Sequence, residues 1–155
     1  MIQVFDSWAG ELSPASFKTI ALPYLIHIAD NLPRRLQELG LDRVPMTVFA
    51  KGAWYALEDL CNTNYDVIGL DWLHDPAEAY KVARAKGKTV QGNADPGVLY
   101  GGHEAITRVV KDMVSGFGNG KQGWIANLGH GWLYMSHASN VLLTRNRNYA
   151  LCEAR

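Results

Sequence analysis

The sequence predicts an α/β fold built on a parallel sheet, and three observations carry that expectation. Five short apolar runs recur, at Ile2 to Phe5, Met46 to Ala50, Val67 to Leu70, Thr89 to Gln91 and Trp124 to Leu128. Each is too short for a helix and several are rich in β-branched residues, the composition of buried strands. Between the runs the apolar spacing changes to that of helices. A chain that alternates strand and helix returns each time to begin the next strand in the same direction, so all five strands point one way.

The elements follow in order. After the first strand, Ser13 before Pro14 supplies an N-cap and the favoured first helical residue. Phe17, Ile20, Leu25, Ile28, Leu32, Leu36 and Leu39 then continue at steps of three to five until Gly40 stops the run. Pro23 and Pro33 each remove a backbone donor and restrict the residue before them, which predicts either two helices or one kinked helix. Shorter helices fit Ala53 to Cys61 and Pro76 to Lys86. The clearest periodicity lies at Ile106, Val109, Val110, Met113, Val114 and Phe117, whose spacing puts all six on one face. Gly116 to Lys121 superficially matches a phosphate loop. It follows a helix and precedes a strand, and Gln122 stands where a Ser or Thr would ligate magnesium, so it reads as a helix stop and turn.

Composition narrows the function classes. With 155 residues, 48% hydrophobic and 19% charged, the chain has the balance of one globular domain. Fifteen basic and fifteen acidic side chains cancel, so no whole-chain field draws in nucleic acid or an anionic membrane, and an anionic substrate must be held locally. Cys61 and Cys152 lack a paired spacing and no Asn-x-Ser/Thr acceptor occurs, which makes a reducing, cytoplasmic setting the expectation. No targeting stretch and no apolar run long enough to span a membrane is present in the sequence.

Function concentrates at the carboxyl edge of strands in parallel α/β folds, in the loops of a barrel or at the switch point of an open sheet. The residues that follow the predicted strands are Asp6 and Ser7, Lys51, Asp71 and Trp72, Asn93 and Asp95, and His130. Asp71, Asn93 and Asp95 have a competing and preferred role as caps or loop anchors. Asp6 orients loops as readily as it meets a ligand. Gly129 and Gly131 let the backbone turn sharply and present the imidazole of His130 to the cleft. His27, His74, His103 and His137 fall in helices or their flanks, and the two cysteines in a helix and the tail, so no convergent metal-ligand set is expected. Cys61 reads as a small buried hydrophobe rather than a nucleophile. The five tryptophans are expected mostly to pack.

At these strand ends the sequence resembles the uroporphyrinogen decarboxylase family of haem biosynthesis. The residues that carry the resemblance are Phe5-Asp6-Ser7-Trp8-Ala9-Gly10, Val48-Phe49-Ala50-Lys51-Gly52, Gly69-Leu70-Asp71-Trp72, Gln91-Gly92-Asn93-Ala94-Asp95-Pro96 and Ile125-Ala126-Asn127-Leu128-Gly129-His130-Gly131. It runs from Ile2 to Gly131, in order and at matching spacing. It implies a (β/α)8 TIM barrel whose loops enclose one cleft for a tetrapyrrole, working as a homodimer without metal or organic cofactor. It also implies a carboxy-lyase that removes carbon dioxide from four acetate side chains, converting uroporphyrinogen to coproporphyrinogen. A protonated pyrrole acts as electron sink in that reaction, and the protein stabilises the developing positive charge. Carried over to this sequence, Ser7 and His130 match the family's contacts to substrate carboxylates.

The same resemblance marks departures. A complete barrel takes roughly 250 residues, and this sequence matches the family from its fourth strand onward, so three βα units are expected to be missing. The family's arginine-containing stretch and its pyrrole-binding aspartate belong to those units. No catalytic residue is therefore expected within this chain, whose substrate-binding residues are Ser7 and His130. Residues 1–131 are read as the carboxyl-terminal part of such a barrel, and Trp132 to Arg155 as a divergent tail. The competing readings are a catalytically inactive fragment or interaction module, and a zinc methyltransferase with a related barrel, which the lack of a His and Cys ligand set disfavours.

Overall fold

The computed structural model describes residues 1–131, and the expectation of a divergent, poorly ordered tail from Trp132 to Arg155 falls outside them. Five strands form one sheet: β1 (Ile2–Asp6), β2 (Met46–Ala50), β3 (Val67–Gly69), β4 (Thr89–Ala94) and β5 (Trp124–Leu128). All four pairings are parallel and the order is β1-β2-β3-β4-β5. Every strand thus lies beside its neighbour in sequence, with no point at which the order reverses. A doubly wound sheet must reverse, so this arrangement is an arc of a barrel, wound in one sense.

The register divides the sheet into two faces. Val4, Val48, Ile68, Val90 and Trp124 stand opposite one another from strand to strand. The three central members of that row are fully buried, with Val4 and Trp124 packed against the same cluster. This face meets the helices. The alternate row runs Phe5, Phe49, Gly69, Gln91 and Ile125, and it faces what would be a barrel interior.

The helices are α1 (Pro14–Ser16), α2 (Leu22–Glu38), α3 (Leu57–Cys61), α4 (Pro76–Ala85) and α5 (His103–Gly116). Ser13 caps α1 by accepting the Ser16 N–H at 3.2 Å, and Asp75 caps α4 by accepting the Glu78 N–H at 2.9 Å. The two prolines of the first connection have different outcomes. A π-helical stretch at Phe17–Ala21 joins α1 to α2 and takes up the irregularity before Pro23, whereas Pro33 lies inside α2. The connection is therefore one continuous but irregular helical run, closed by Gly40 at φ 71° with the Leu41 N–H returning to the Leu36 carbonyl. On α5, Ile106, Val110, Met113 and the following Phe117 are buried as their spacing predicts. The glycines after it form a turn, with Gly118, Asn119 and Gly120 all at positive φ.

Three expectations need correction. Strand β4 continues past Gln91 to Ala94, whereas β3 ends at Gly69, one residue early. The run from Ala53 to Cys61 opens as a 3-10 turn at Trp54–Ala56 before α3 begins. Among the described residues the tryptophans mostly do not pack: Trp8 is 76%, Trp54 58% and Trp72 41% exposed. Trp124 is the exception, stacked on Phe117 with ring centroids 5.1 Å apart. The exposed three follow strand ends, where loops turn outward and large rings are left at the rim.

Candidate functional site

The carboxyl ends of the strands are joined by a chain of backbone and side-chain contacts. From the first loop to the second, Gly10 donates its N–H to the Lys51 carbonyl at 2.8 Å and Lys51 donates to the Asp6 carbonyl at 3.0 Å. Gly10 and Gly52 pass so closely that a Cβ on Gly10 would stand 2.7 Å from the Gly52 Cα. The third loop holds the second through Asp71, which accepts the Gly52 N–H, and also the Leu73 N–H at 3.1 Å and His74 Nδ1 at 3.2 Å. Asn93, after the centre of β4, donates to the carbonyls of Asp71 and His74 at 3.1 and 2.9 Å. Gly129 then closes the series by donating to the Ala94 carbonyl at 2.7 Å.

This network fixes the roles of several sequence candidates. Asp71 is 2% exposed. Burial by itself would raise its pKa, but the hydrogen bonds from His74, Gly52 and Leu73 outweigh it and hold the carboxyl below the usual carboxylate range. Asp71 and Asn93 are loop anchors, and Asp95 accepts the Gly97 N–H at 2.7 Å, capping the 3-10 turn that follows. Lys51 contributes its backbone to the network, and neither it nor Asp6 lines the cleft described next. Asp6 lies on the side of Tyr55, whose hydroxyl donates to the carbonyls of Ala9 and Leu12 and is made less acidic first by burial and then by the Asp6 charge. Cys61 is buried and its thiol pushed up to about 11, mainly by desolvation, which leaves it unsuited to nucleophilic work.

Within the arc lies a cavity of about 530 Å³, bounded by the inner sheet row and the ends of β1 and β5. That is within the range of about 300 to 1,000 Å³ usual for small-molecule clefts. Ser7, one residue beyond β1, and His130, two residues beyond β5, both line it. They approach from opposite edges of the sheet. The His130 ring sits 6.3 Å from Phe49 and 6.5 Å, edge-on, from Trp72. Gly129 gives it that position: a Cβ there would meet the Trp72 nitrogen at 2.7 Å and the Asn93 carbonyl oxygen at 3.0 Å. Phe5 and Phe49 contribute an apolar wall, their rings edge-to-face at 6.2 Å. Polar atoms come from Gln3, Gln91 and Asn127. Among the described residues no Lys, Arg, Asp or Glu lines the cavity.

Among the described residues the other histidines lie elsewhere, and His137 falls outside those residues. His27 pairs with Asn31 on α2, His74 is tied to Asp71, and His103 opens α5 beside a separate shallow cavity lined by that helix. Sequence reasoning singled out His130 by its position after a strand and Ser7 by the family resemblance. It missed Phe5, Phe49, Gln91 and Asn127 as cavity residues, because within a strand only the register tells which face a side chain takes.

Comparison with known proteins adds the family context. The family model described as Uroporphyrinogen decarboxylase (URO-D) matches residues 1–145. Proteins named uroporphyrinogen decarboxylase are 53% identical over 131 residues in Schizosaccharomyces pombe, 50% over 131 in Danio rerio and 45% over 130 in Homo sapiens. Each match takes in 84% of this chain but 36%, 34% and 35% of the respective relative, so the chain spans about a third of their length. A solved methyltransferase from Methanosarcina mazei superposes with a TM-score of 0.76 at 16% identity, over 97% of this chain and 42% of its own. At that identity the likeness concerns the fold alone.

Proposed function

Because this chain belongs to the uroporphyrinogen decarboxylase family, we propose that it forms the carboxyl-terminal wall of a tetrapyrrole cleft whose reaction is the decarboxylation of uroporphyrinogen to coproporphyrinogen. The observation that carries this reading is the arrival of Ser7 and His130, from opposite edges of the sheet, on one cavity walled by aromatic rings. A puckered apolar macrocycle with a polar fringe suits such a surface. The Ser7 hydroxyl and the His130 imidazole are the donors proposed to orient substrate carboxylates.

In the reaction, a proton adds to a pyrrole carbon and makes the ring an electron sink. The bond between the acetate methylene and its carboxylate breaks, carbon dioxide leaves, and the electron pair passes into the ring. Protonation of the exocyclic carbon then gives a methyl group, with loss of the proton first added to the ring. The residues on this cavity can hold and orient, but they bring no fixed charge to stabilise the cationic intermediate. The family's arginines and aspartate would have to come from outside this chain. That absence of charge among the described lining residues also favours a second reading, a non-catalytic module that retains half the cleft.

Turnover separates the two. Anaerobic incubation of the 155-residue chain with uroporphyrinogen is expected to yield no coproporphyrinogen above a heat-killed control, while uroporphyrinogen binding is retained. Supplying the amino-terminal part of a relative as a second polypeptide is expected to restore turnover, and His130→Ala to weaken binding roughly tenfold, as loss of a hydrogen bond to a charged group does. Turnover by the chain alone would overturn the non-catalytic reading, and binding unaffected by both Ser7→Ala and His130→Ala would overturn the assignment of these two residues. A homodimer and a cytoplasmic setting belong to the same proposal and rest on the family and on cysteine usage. Among the described residues no helix is long and apolar enough to cross a membrane.

A further inference from the structure

His130 is exposed on the cavity, and among the described residues neither of its ring nitrogens has a hydrogen-bond partner. An imidazole that presents one nitrogen to a ligand is usually oriented by a bond to the other, so here packing must set the direction of the ring. Two aromatic rings meet it. Phe49 stands 6.3 Å away, tilted by 47°, and lines the cavity, whereas Trp72 stands 6.5 Å away at 83° and is not among the lining residues. Both separations fall in the range of about 4.5 to 7 Å where aromatic pairs attract. The indole therefore meets the imidazole from outside the cavity.

The indole is also the better anchored of the two rings. Asp71, the residue before it, accepts from Gly52, Leu73 and His74, and the Asp71 carbonyl accepts from Asn93. The Trp72 nitrogen lies so close to Gly129 that a Cβ on that glycine would approach it to 2.7 Å, so the third and fifth loops touch beside His130. The turn that carries His130 is held at its start, where Gly129 donates to the Ala94 carbonyl. Beyond it Gly131 is exposed, and a Cβ there would meet nothing within 4 Å. Trp72 thus supplies a fixed surface for a side chain on an open turn.

We propose that Trp72 is a positioning residue, whose indole holds the His130 imidazole in the direction that presents a ring N–H to a substrate carboxylate, without itself touching the substrate. This rests on the tetrapyrrole reading given above and deepens it by naming what orients one of its two donors. An edge-to-face contact engages no hydrogen-bonding partner, and unlike an orienting carboxylate it brings no negative charge beside a polyanion.

The test is a double-mutant cycle in the 155-residue chain, using Trp72→Leu, Trp72→Phe, His130→Ala and the Trp72→Leu/His130→Ala pair, with uroporphyrinogen binding measured by anaerobic titration calorimetry. Trp72→Leu is expected to weaken binding roughly three- to tenfold, and to cause no further loss once His130 is alanine. Trp72→Phe restores a ring and is expected to stay within about twofold of wild type. An equal loss in both backgrounds would mean that the indole meets the substrate or serves the fold, and would overturn the proposal. Wild-type affinity in Trp72→Leu, or a Trp72→Phe chain as weak as Trp72→Leu, would overturn it too, as would loss of the fold in Trp72→Leu. A readout without ligand accompanies the cycle: the carbon-bound ring protons of His130 should shift in the NMR spectrum of Trp72→Leu, through loss of the indole ring current, while those of His27 and His103 stay in place. Unmoved His130 signals would overturn this inference alone, whereas a wild-type chain that binds no uroporphyrinogen would overturn the tetrapyrrole reading and this inference with it.

Discussion

Asp71 illustrates how a residue placed where function concentrates can be wholly occupied by structure. Its carboxylate accepts from two backbone amides and the His74 ring at a point where three loops meet. Removing it leaves those donors buried and unmatched, so Asp71→Ala is expected to cost roughly 2–4 kcal/mol in urea unfolding. The pH dependence has a definite sign. A carboxyl held below its ordinary value of about 4 contributes stability that is fully present above that value and is lost as pH falls through the lower folded value. Asp66, lowered by its Arg43 and Met46 contacts against the opposing effect of burial, acts in the same window. The comparison with Asp71→Asn isolates one group: the acid limb of the stability profile should flatten in the variant, and identical limbs would count against this account. The sequence already favoured the anchoring role for Asp71 over ligand binding, and the loop geometry shows which donors it holds. Ser7 and His130 were singled out on other grounds, His130 by its strand end with flanking glycines and Ser7 by the family resemblance, because position after a strand also marked Asp6 and Lys51, which do not line the cleft.

At the scale of elements, legibility followed the strength of local signals. Strands β2 and β5 are read to the residue because their apolar runs are sharply bounded. Strand β4 is under-read because Gly92, Asn93 and Ala94 have low strand propensity, and they are held extended by pairing with β5 over five registered positions. The π-helical stretch before Pro23 leaves no sequence signature beyond the proline itself. Pro33 is a different case, because it sits within α2 and deprives the buried Ala29 of its helical donor. Restoring an N–H there gains a hydrogen bond and removes a ring clash, offset in part by a more flexible unfolded chain. Pro33→Ala is therefore expected to stabilise the chain by about 1–2 kcal/mol, read as a higher urea midpoint at unchanged slope. A lower midpoint would mean that the irregular helix is needed for packing against the sheet.

For the whole molecule, the sequence conveyed the alternation of elements and hence the parallel sheet, and the sequential strand order then distinguishes a barrel arc from a doubly wound sheet. That arc has a physical consequence. Among the described residues β1 pairs only with β2 and β5 only with β4, so each presents an unpaired row of backbone donors and acceptors. The inner face beside these edges is apolar and open: Phe5 is 64% and Ile125 38% exposed, and Trp8 at the rim is 76% exposed. Edge pairing and apolar burial favour the same event, the approach of another polypeptide along β1 or β5. Purified alone, the 155-residue chain is expected to associate in a concentration-dependent way in sedimentation velocity. A lysine on each edge opposes strand addition through charge and hydration, so Phe5→Lys combined with Ile125→Lys should shift the distribution toward monomer. The helix-facing core row of Val48, Ile68 and Val90 is untouched by these changes, and circular dichroism should therefore remain that of the parent. A wild-type chain that stays monomeric across a hundredfold range of concentration would show that the edges are already covered, and would refute the open-arc description.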